Sequence, residues 1–326
     1  MKILLVRVSS LGDVLHNLPM VADLLRHHPG ATVDWVVEEG FASLVRLNPH
    51  VRKIIPWAQR RWRKSLGKKE TRAEIRAFLR TLREEEYDYV IDPQGLFKSG
   101  VIMGAARVKK GGRKVGMANR TEGSSYEGIS RIFHTDSIRL TPRVHAVARG
   151  RMLAAAALGY GVDTPPDFGL PPPTPESRPD FVPREDYAVF FHGTSQAAKK
   201  WAHANWVTTG RALAPMPVLL PWGSESERRD AEAIAAELPN ARVLPKLSMM
   251  DAVKLAQHAA LAVGADTGLI HIAAAFVRPT IAIYVASHKW RTEGNWSERI
   301  VNLGDFGSPP AADDVVATAR RLLAPR

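Results

Sequence analysis

Two doubly wound α/β domains of the Rossmann type, facing each other across a cleft, are what this 326-residue chain predicts, and three observations carry the expectation. Short runs rich in Val, Ile and Leu alternate with longer amphipathic stretches, as parallel strands do with the helices that cover them. The alternation occurs twice. Between the two occurrences lies a stretch with eight prolines in residues 164–183, including Pro171-Pro172-Pro173, and almost no helical periodicity. Such a stretch is a stiff connector. The expected organisation is a first domain over residues 1–163, a linker over 164–183 and a second domain over 184–326, with a C-terminal helix able to return to the first domain.

In the first half, residues 2–8, 31–37, 89–91 and 113–116 read as strands. The first is followed by Val8-Ser9-Ser10-Leu11-Gly12-Asp13, then by Val14, Leu15, Leu18, Val21, Leu24 and Leu25 at helical spacing. In open parallel sheets ligands bind beyond the carboxyl ends of the strands, so this turn is a place to seek chemistry. Asp13, at the helix start, has two readings: an N-cap worth about 1 kcal/mol, or a general base that takes a proton from an acceptor hydroxyl.

In the second half, residues 187–191, 217–220, 260–264, 280–284 and 299–302 read as strands. The turn after Phe191 runs His192-Gly193-Thr194-Ser195-Gln196-Ala197-Ala198-Lys199-Lys200-Trp201. Two hydroxyls and a lysine suit a diphosphate, while the spacing is not that of a P-loop; Trp201 reads as packed beneath the turn. Next comes Pro221-Trp222-Gly223-Ser224-Glu225-Ser226-Glu227. Ser224 and Glu227 have capping-box spacing, which leaves Glu225 free either to accept from ribose hydroxyls or to serve as a first-turn acid on the helix dipole. The most informative turn is Asp266-Thr267-Gly268-Leu269-Ile270-His271, between an apolar run and an alanine-rich helix. A helix start offers unpaired N–H groups and a positive dipole end to a phosphate or sugar hydroxyl.

Composition narrows the class. Hydrophobic residues make up 45% and charged residues 24%, as in a water-soluble globular protein. The absence of cysteine excludes disulfides and thiol catalysis. The first eight residues hold too short an apolar run for a signal sequence, and no run reaches the roughly 18 residues of a membrane span, so the expected location is cytoplasmic. D-x-D, H-E-x-x-H, G-x-G-x-x-G and G-x-S-x-G are all missing, and the histidines lack metal-ligand spacing. Metal-free chemistry is expected, with cations and helix starts stabilising a departing phosphate.

The formal charge is +12, and residues 52–120 hold nineteen Lys and Arg against seven Asp and Glu. From residue 164 onward the two counts are seventeen each. The first half is therefore expected to meet something anionic, nucleic acid or a membrane surface. RNP1 and zinc-finger signatures are absent, which favours an anionic lipid or glycolipid; the nucleic-acid alternative rests on this same segment.

Taken together, Ser9 to Val14, the His192 to Trp201 turn, Pro221-Trp222-Gly223 and the Asp266 to His271 turn resemble the lipopolysaccharide heptosyltransferases, in order and over nearly the whole chain. The resemblance implies a GT-B glycosyltransferase with the acceptor domain first and the nucleotide-sugar domain second. It implies metal-free, inverting transfer of heptose from ADP-heptose to a Kdo sugar of Kdo2-lipid A on the inner face of the cytoplasmic membrane, with no cofactor beyond the donor. A related transferase with another acceptor, the second heptosyltransferase of the pathway, is the alternative. By the resemblance Asp13 is the base, Lys199 neutralises the diphosphate beside Thr194 and Ser195, and Glu225 holds the adenosine ribose. Asp266, Thr267, Gly268 and His271 hold the phosphates and heptose. Lys200 is a second candidate for the diphosphate. Ser10, Gly12, Arg60, Arg63, Lys64, Lys98 and Arg120 are expected on the acceptor, with an anionic membrane surface nearby.

Overall fold

The computed structural model describes residues 1–194 and 196–324. It divides into two compact units, Met1–Leu170 and Pro171–Arg326. The first is built on six strands: β1 (Lys2–Val6), β2 (Thr32–Glu38), β3 (Val51–Trp57), β4 (Glu86–Asp92), β5 (Arg107–Met117) and β6 (Asp136–Ile138). They lie in the order β3-β2-β1-β4-β5-β6, every pair parallel. Its helices are α1 (Leu11–His16), α2 (Leu18–His27), α3 (Ala42–Arg46), α4 (Gln59–Trp62), α5 (Lys69–Leu82), α6 (Phe97–Ala105) and α7 (Ala146–Leu158).

The second unit repeats the plan with β7 (Ala188–Phe191), β8 (Val218–Leu220), β9 (Ala241–Val243), β10 (Leu261–Ala265), β11 (Thr280–Tyr284) and β12 (Ile300–Gly304). The order is β12-β11-β10-β7-β8-β9, again parallel. Its helices are α8 (His203–Ala212), α9 (Glu225–Ala236), α10 (Met249–His258), α11 (Gly268–Ala275) and α12 (Ala312–Leu323). α12 packs against α8 and β10 to β12 of its own unit. No helix among the described residues is long and apolar enough to cross a membrane.

The central strands are apolar because both faces are covered: Ile3 to Val6, Leu261 to Val263 and Ile281 to Ile283 are almost wholly buried. Burying each large side chain contributes about 1.5–3 kcal/mol. Sequence reading finds these strands and misses β3, β6 and β9, all of them sheet edges. An edge strand is covered less, so it tolerates Arg52, Lys53 and the ring of Pro56, which a central strand would not. Gly264 shows how tightly the second sheet carries its helices. A Cβ there would come 2.8 Å from the Cβ of Phe191 and 3.1 Å from Ile270 of α11.

Each sheet reverses its winding once, between β1 and β4 in the first unit and between β7 and β10 in the second. The loops leaving those strands diverge at the reversal and leave a crevice, which is where doubly wound sheets bind ligands.

Candidate active site

At the first reversal, β1 ends in the turn that starts α1. Ser10 takes the N-cap and Asp13 stands at the third helical position, so the N-cap reading of Asp13 is corrected. Its Oδ2 accepts the Ser10 N–H at 3.1 Å and the Ser10 hydroxyl at 2.8 Å. Its Oδ1 lies 2.6 Å from Arg7 Nη2 and 3.5 Å from Arg149 Nη2. Burial would push this carboxyl up, but the two guanidinium groups and Ser10 outweigh it and hold Asp13 well below the usual carboxylate range. The side chain is still 32% exposed, against 6% and 5% for Arg7 and Arg149. Asp13 is therefore a permanently ionised carboxylate with buried cations behind it and solvent in front.

β4 supplies the other wall. Arg7 Nη1 donates to the Pro93 carbonyl at 3.0 Å, and the Val8 N–H donates to Gln94 Oε1 at 2.9 Å. Asp92, fully buried, folds this loop by accepting from the N–H groups of Gln94 and Gly95 and from the Ser99 hydroxyl at 2.7 Å. With burial the largest effect, its carboxyl is pushed up to about 6. Lys98, at the start of α6, reaches back to the Ser9 hydroxyl at 2.9 Å. Partial burial lowers its pKa against the pull of Glu38.

The expected acceptor residues divide. Ser10 bonds Asp13 and Lys98 bonds the adjoining Ser9, while Arg60 acts on Glu38 and Lys98 and not on Asp13 itself. Gly12 lies in the first turn of α1. Arg120 is exposed, and the Oγ1 of the adjoining Thr121 accepts from Arg149 Nη1 at 3.4 Å. Arg63 and Lys64 are exposed where α4 ends and make no bond to Asp13 or its arginines. Six of the nineteen basic residues of 52–120 are engaged by acids. Arg52, Lys53, Arg61, Arg107, Lys109 and Arg113 are spent on ion pairs with nearby acids, several at the amino ends of the strands, remote from the crevice.

At the second reversal the loop after β7 meets the loop after β10. Lys199 Nζ lies 2.8 Å from Asp266 Oδ2. That oxygen also accepts the Ser287 hydroxyl at 2.7 Å, while Oδ1 accepts from His271 Nε2 at 2.9 Å and from the Thr292 hydroxyl at 3.0 Å. Four donors fill the lone pairs of a carboxylate. Burial raises its pKa, but the hydrogen bond and charge of His271 and the Lys199 ammonium outweigh it and hold the group far below the ordinary range. Thr267 is the N-cap of α11 and Gly268 its first residue, so the unpaired N–H groups of this helix open beside Lys199 and Asp266.

Lys199 is thus the lysine of this site. Lys200 points away, to Asp230 of α9 at 2.5 Å. Thr194 accepts the Gln196 N–H at 3.3 Å; Ser195 lies outside the described residues. Glu227 accepts the N–H groups of Gly223 and Ser224, completing the expected capping box. Glu225 is not free: it pairs with Arg228 one turn on at 2.9 Å, with its side chain 69% exposed. Trp201 is buried, its indole N–H donating to the Pro310 carbonyl at 3.0 Å.

Sequence reasoning missed Arg7, Arg149, Asp92, Ser287 and Thr292. Arg7 left a signal, a charge interrupting an apolar strand, and Arg149 another, a charge in an alanine-rich helix. Ser287 and Thr292 left none, because a polar loop has no period. Among the described residues no group of three His, Cys, Asp or Glu side chains converges as metal ligands do.

The comparisons bear on this geometry. A family model described as glycosyltransferase family 9 (heptosyltransferase) matches residues 75–318. Lipopolysaccharide heptosyltransferase 1 of Pseudomonas aeruginosa PAO1 is 40% identical over 314 residues, covering 95% of this chain and 86% of that protein. The protein of the same name from Escherichia coli K12 is 37% identical over 287 residues, with coverage of 87% and 88%. The E. coli heptosyltransferase WaaC with ADP is similar in structure at a TM-score of 0.84 and 31% identity, over 99% of this chain and 100% of that one. With ADP-2-deoxy-2-fluoro heptose the same enzyme gives a TM-score of 0.78 over 98% and 99%.

Proposed function

This chain belongs to glycosyltransferase family 9, the heptosyltransferases, and from that premise we propose the reaction its two crevices serve. It transfers heptose in lipopolysaccharide core synthesis. The donor is ADP-heptose and the acceptor is a Kdo sugar of Kdo2-lipid A, met at the inner face of the cytoplasmic membrane. The second unit holds the donor, with Lys199 and the N-terminus of α11 on the diphosphate and Asp266 and His271 beside the heptose.

The observation that carries the chemistry is the setting of Asp13: ionised, backed by Arg7 and Arg149, and open on one side. An acceptor hydroxyl replaces the exposed Ser10 hydroxyl at Oδ2. As its oxygen bonds to the anomeric carbon of the heptose, the bond to the diphosphate breaks, ADP departs and the centre inverts. The proton of the attacking hydroxyl passes to Asp13. Its low basicity suffices, because that proton becomes strongly acidic only as the new C–O bond forms, so transfer runs with bond formation and not ahead of it. Lys199 and the helix start meet the charge on the leaving diphosphate, which removes the need for a metal. The acidic groups of the acceptor suit Arg60, Lys98 and Arg120.

The test is transfer from ADP-heptose to Kdo2-lipid A in chelator, read by mass spectrometry, with the acceptor offered bare and with one heptose attached. One added heptose on the bare acceptor supports the reading. Addition only to the heptosylated acceptor assigns the second transfer instead, and dependence on magnesium overturns the metal-free mechanism.

A further inference from the structure

The face formed by α6 and the 3₁₀ turn Gly128–Phe133 exposes an apolar ridge that the transfer reaction does not use. Phe97 is 47% exposed and Val101 40%, one helical turn apart on α6; Ile129 is 55% exposed and Ile132 66%, eclipsed on the 3₁₀ turn. The two elements are locked together. Added Cβ atoms on Gly100 and Gly104 would come within 2.7 and 2.6 Å of the Phe133 ring, so two glycines let that ring lie on the helix, and the Phe97 and Phe133 centroids are 6.0 Å apart. Elsewhere among the described residues the large exposed apolar side chains, such as Leu66, Val277 and Phe306, are separated from one another in sequence and on different elements. A clustered apolar ridge is uncommon on a soluble surface and marks a docking site.

Its charge and position identify the occupant. Arg131 is exposed between Ile129 and Ile132, while the nearby Glu127 is spent on the Phe97 N–H at the start of α6. Lys98 follows Phe97 directly and reaches Ser9 in the turn that carries Asp13, so the ridge begins where the acceptor crevice ends. A second copy seated on this face would have to supply an acid to Arg131, and the nearby Glu127 is already bonded to the Phe97 N–H. An anionic bilayer satisfies both features, taking the apolar side chains below its headgroups and the arginine among them.

We propose that this α6 face is the membrane-docking surface, with Phe97, Val101, Ile129 and Ile132 entering an anionic bilayer and Arg131 on its headgroups. This rests on the reading of the acceptor as a membrane-anchored glycolipid, and it sets the crevice at the height of a sugar held just above the lipid.

The test is sedimentation of the full chain with vesicles of phosphatidylglycerol and phosphatidylethanolamine, and with phosphatidylcholine alone. The wild type is expected to bind the anionic vesicles. The combined variant Phe97→Ser, Ile129→Ser, Ile132→Ser should lose at least about thirtyfold in partition. Its kcat/KM on a deacylated, water-soluble Kdo acceptor should stay within about twofold of wild type, which also reports that it is folded. Phe306→Ser should bind as wild type does. The docking surface is overturned by a wild type that does not bind, by a triple variant that binds equally well, by an equal loss in Phe306→Ser, or by wild-type self-association that the triple variant abolishes. Vesicle binding through this ridge without transfer to any Kdo acceptor would sink the acceptor assignment and leave the docking surface standing; transfer without vesicle binding would do the reverse.

Discussion

Asp13 and Asp266 occupy equivalent places, one at the winding reversal of each sheet, and both are held ionised by cations. They differ in reach. Asp266 is 9% exposed and its four donors come from the connections after β7 and β11 and from α11, so nothing can approach it without breaking that set. Asp13 is 32% exposed, and one of its donors is the replaceable hydroxyl of an exposed serine. The same chemical group is thus a fixed organiser in one unit and a reachable reagent in the other. The largest expected effect tests that distinction. Asp13→Ala should lower kcat by about 10²–10⁴-fold with the dissociation constant of ADP-heptose unchanged; retained turnover would remove Asp13 as the base. Because its pKa is depressed, Asp13 stays ionised down to strongly acid solution, and a kcat–pH profile should show no acid limb from it above about pH 4.

Asp266→Asn should reverse the pattern. The amide turns a donor toward either the Lys199 and Ser287 pair or the His271 and Thr292 pair, so the folded protein should lose about 2–4 kcal/mol in denaturant unfolding. ADP-heptose should bind at least about tenfold more weakly as Lys199 loses its anchor. Unaltered donor affinity would mean that Asp266 does not set the position of Lys199. Smaller again is the effect of Arg60→Glu with Arg63→Glu, expected to raise acceptor KM about tenfold, less at high salt, and to spare donor binding. If the two substitutions act equally when made singly, Arg63 shares the crevice with Arg60 despite having no bond to its network.

What the sequence shows and hides follows from the same physics. Central strands are legible because burial on both faces demands unbroken apolar runs, while β3, with Arg52, Lys53 and Pro56, is hidden by the freedom of an edge. The turns bearing Asp13, Lys199 and Asp266 are legible because a carboxylate or lysine beside glycine and hydroxyls at a strand end is a local pattern. Their partners are not: Arg149 reaches Asp13 across 136 positions and Thr292 reaches Asp266 across 26. Charge counts mislead for a related reason. Nineteen basic residues in one segment read alike in the sequence, yet six of them, Arg113 on Asp136 and Lys109 on Asp88 among these, are held by acids, three of which lie outside the segment.

Asp92 sharpens the comparison: burial raises both these carboxyls of the first unit, but at Asp13 the two guanidinium groups outweigh it, whereas at Asp92 it prevails. Its pKa of about 6 lies above the roughly 3.9 of an unfolded aspartate, so between those values the folded protein holds a proton that the unfolded chain releases. Stability therefore falls as pH rises from about 4 through about 6, the reverse of the Asp13 contribution, which is lost only as pH falls through its low folded value. Asp92→Asn removes the titration and keeps the bonding: Oδ1 still accepts from Gln94 and Gly95, and the new amide donates to the Ser99 hydroxyl, whose own proton has the Leu96 carbonyl at 2.9 Å. Relative to wild type, the variant should gain about 1 kcal/mol in going from pH 5 to pH 8, measured by denaturant unfolding at both. An equal difference at the two pH values would mean that Asp92 is ionised throughout. The burial that prevails at Asp92 would then be offset by the N–H groups of its own loop, as Arg7 and Arg149 offset it at Asp13.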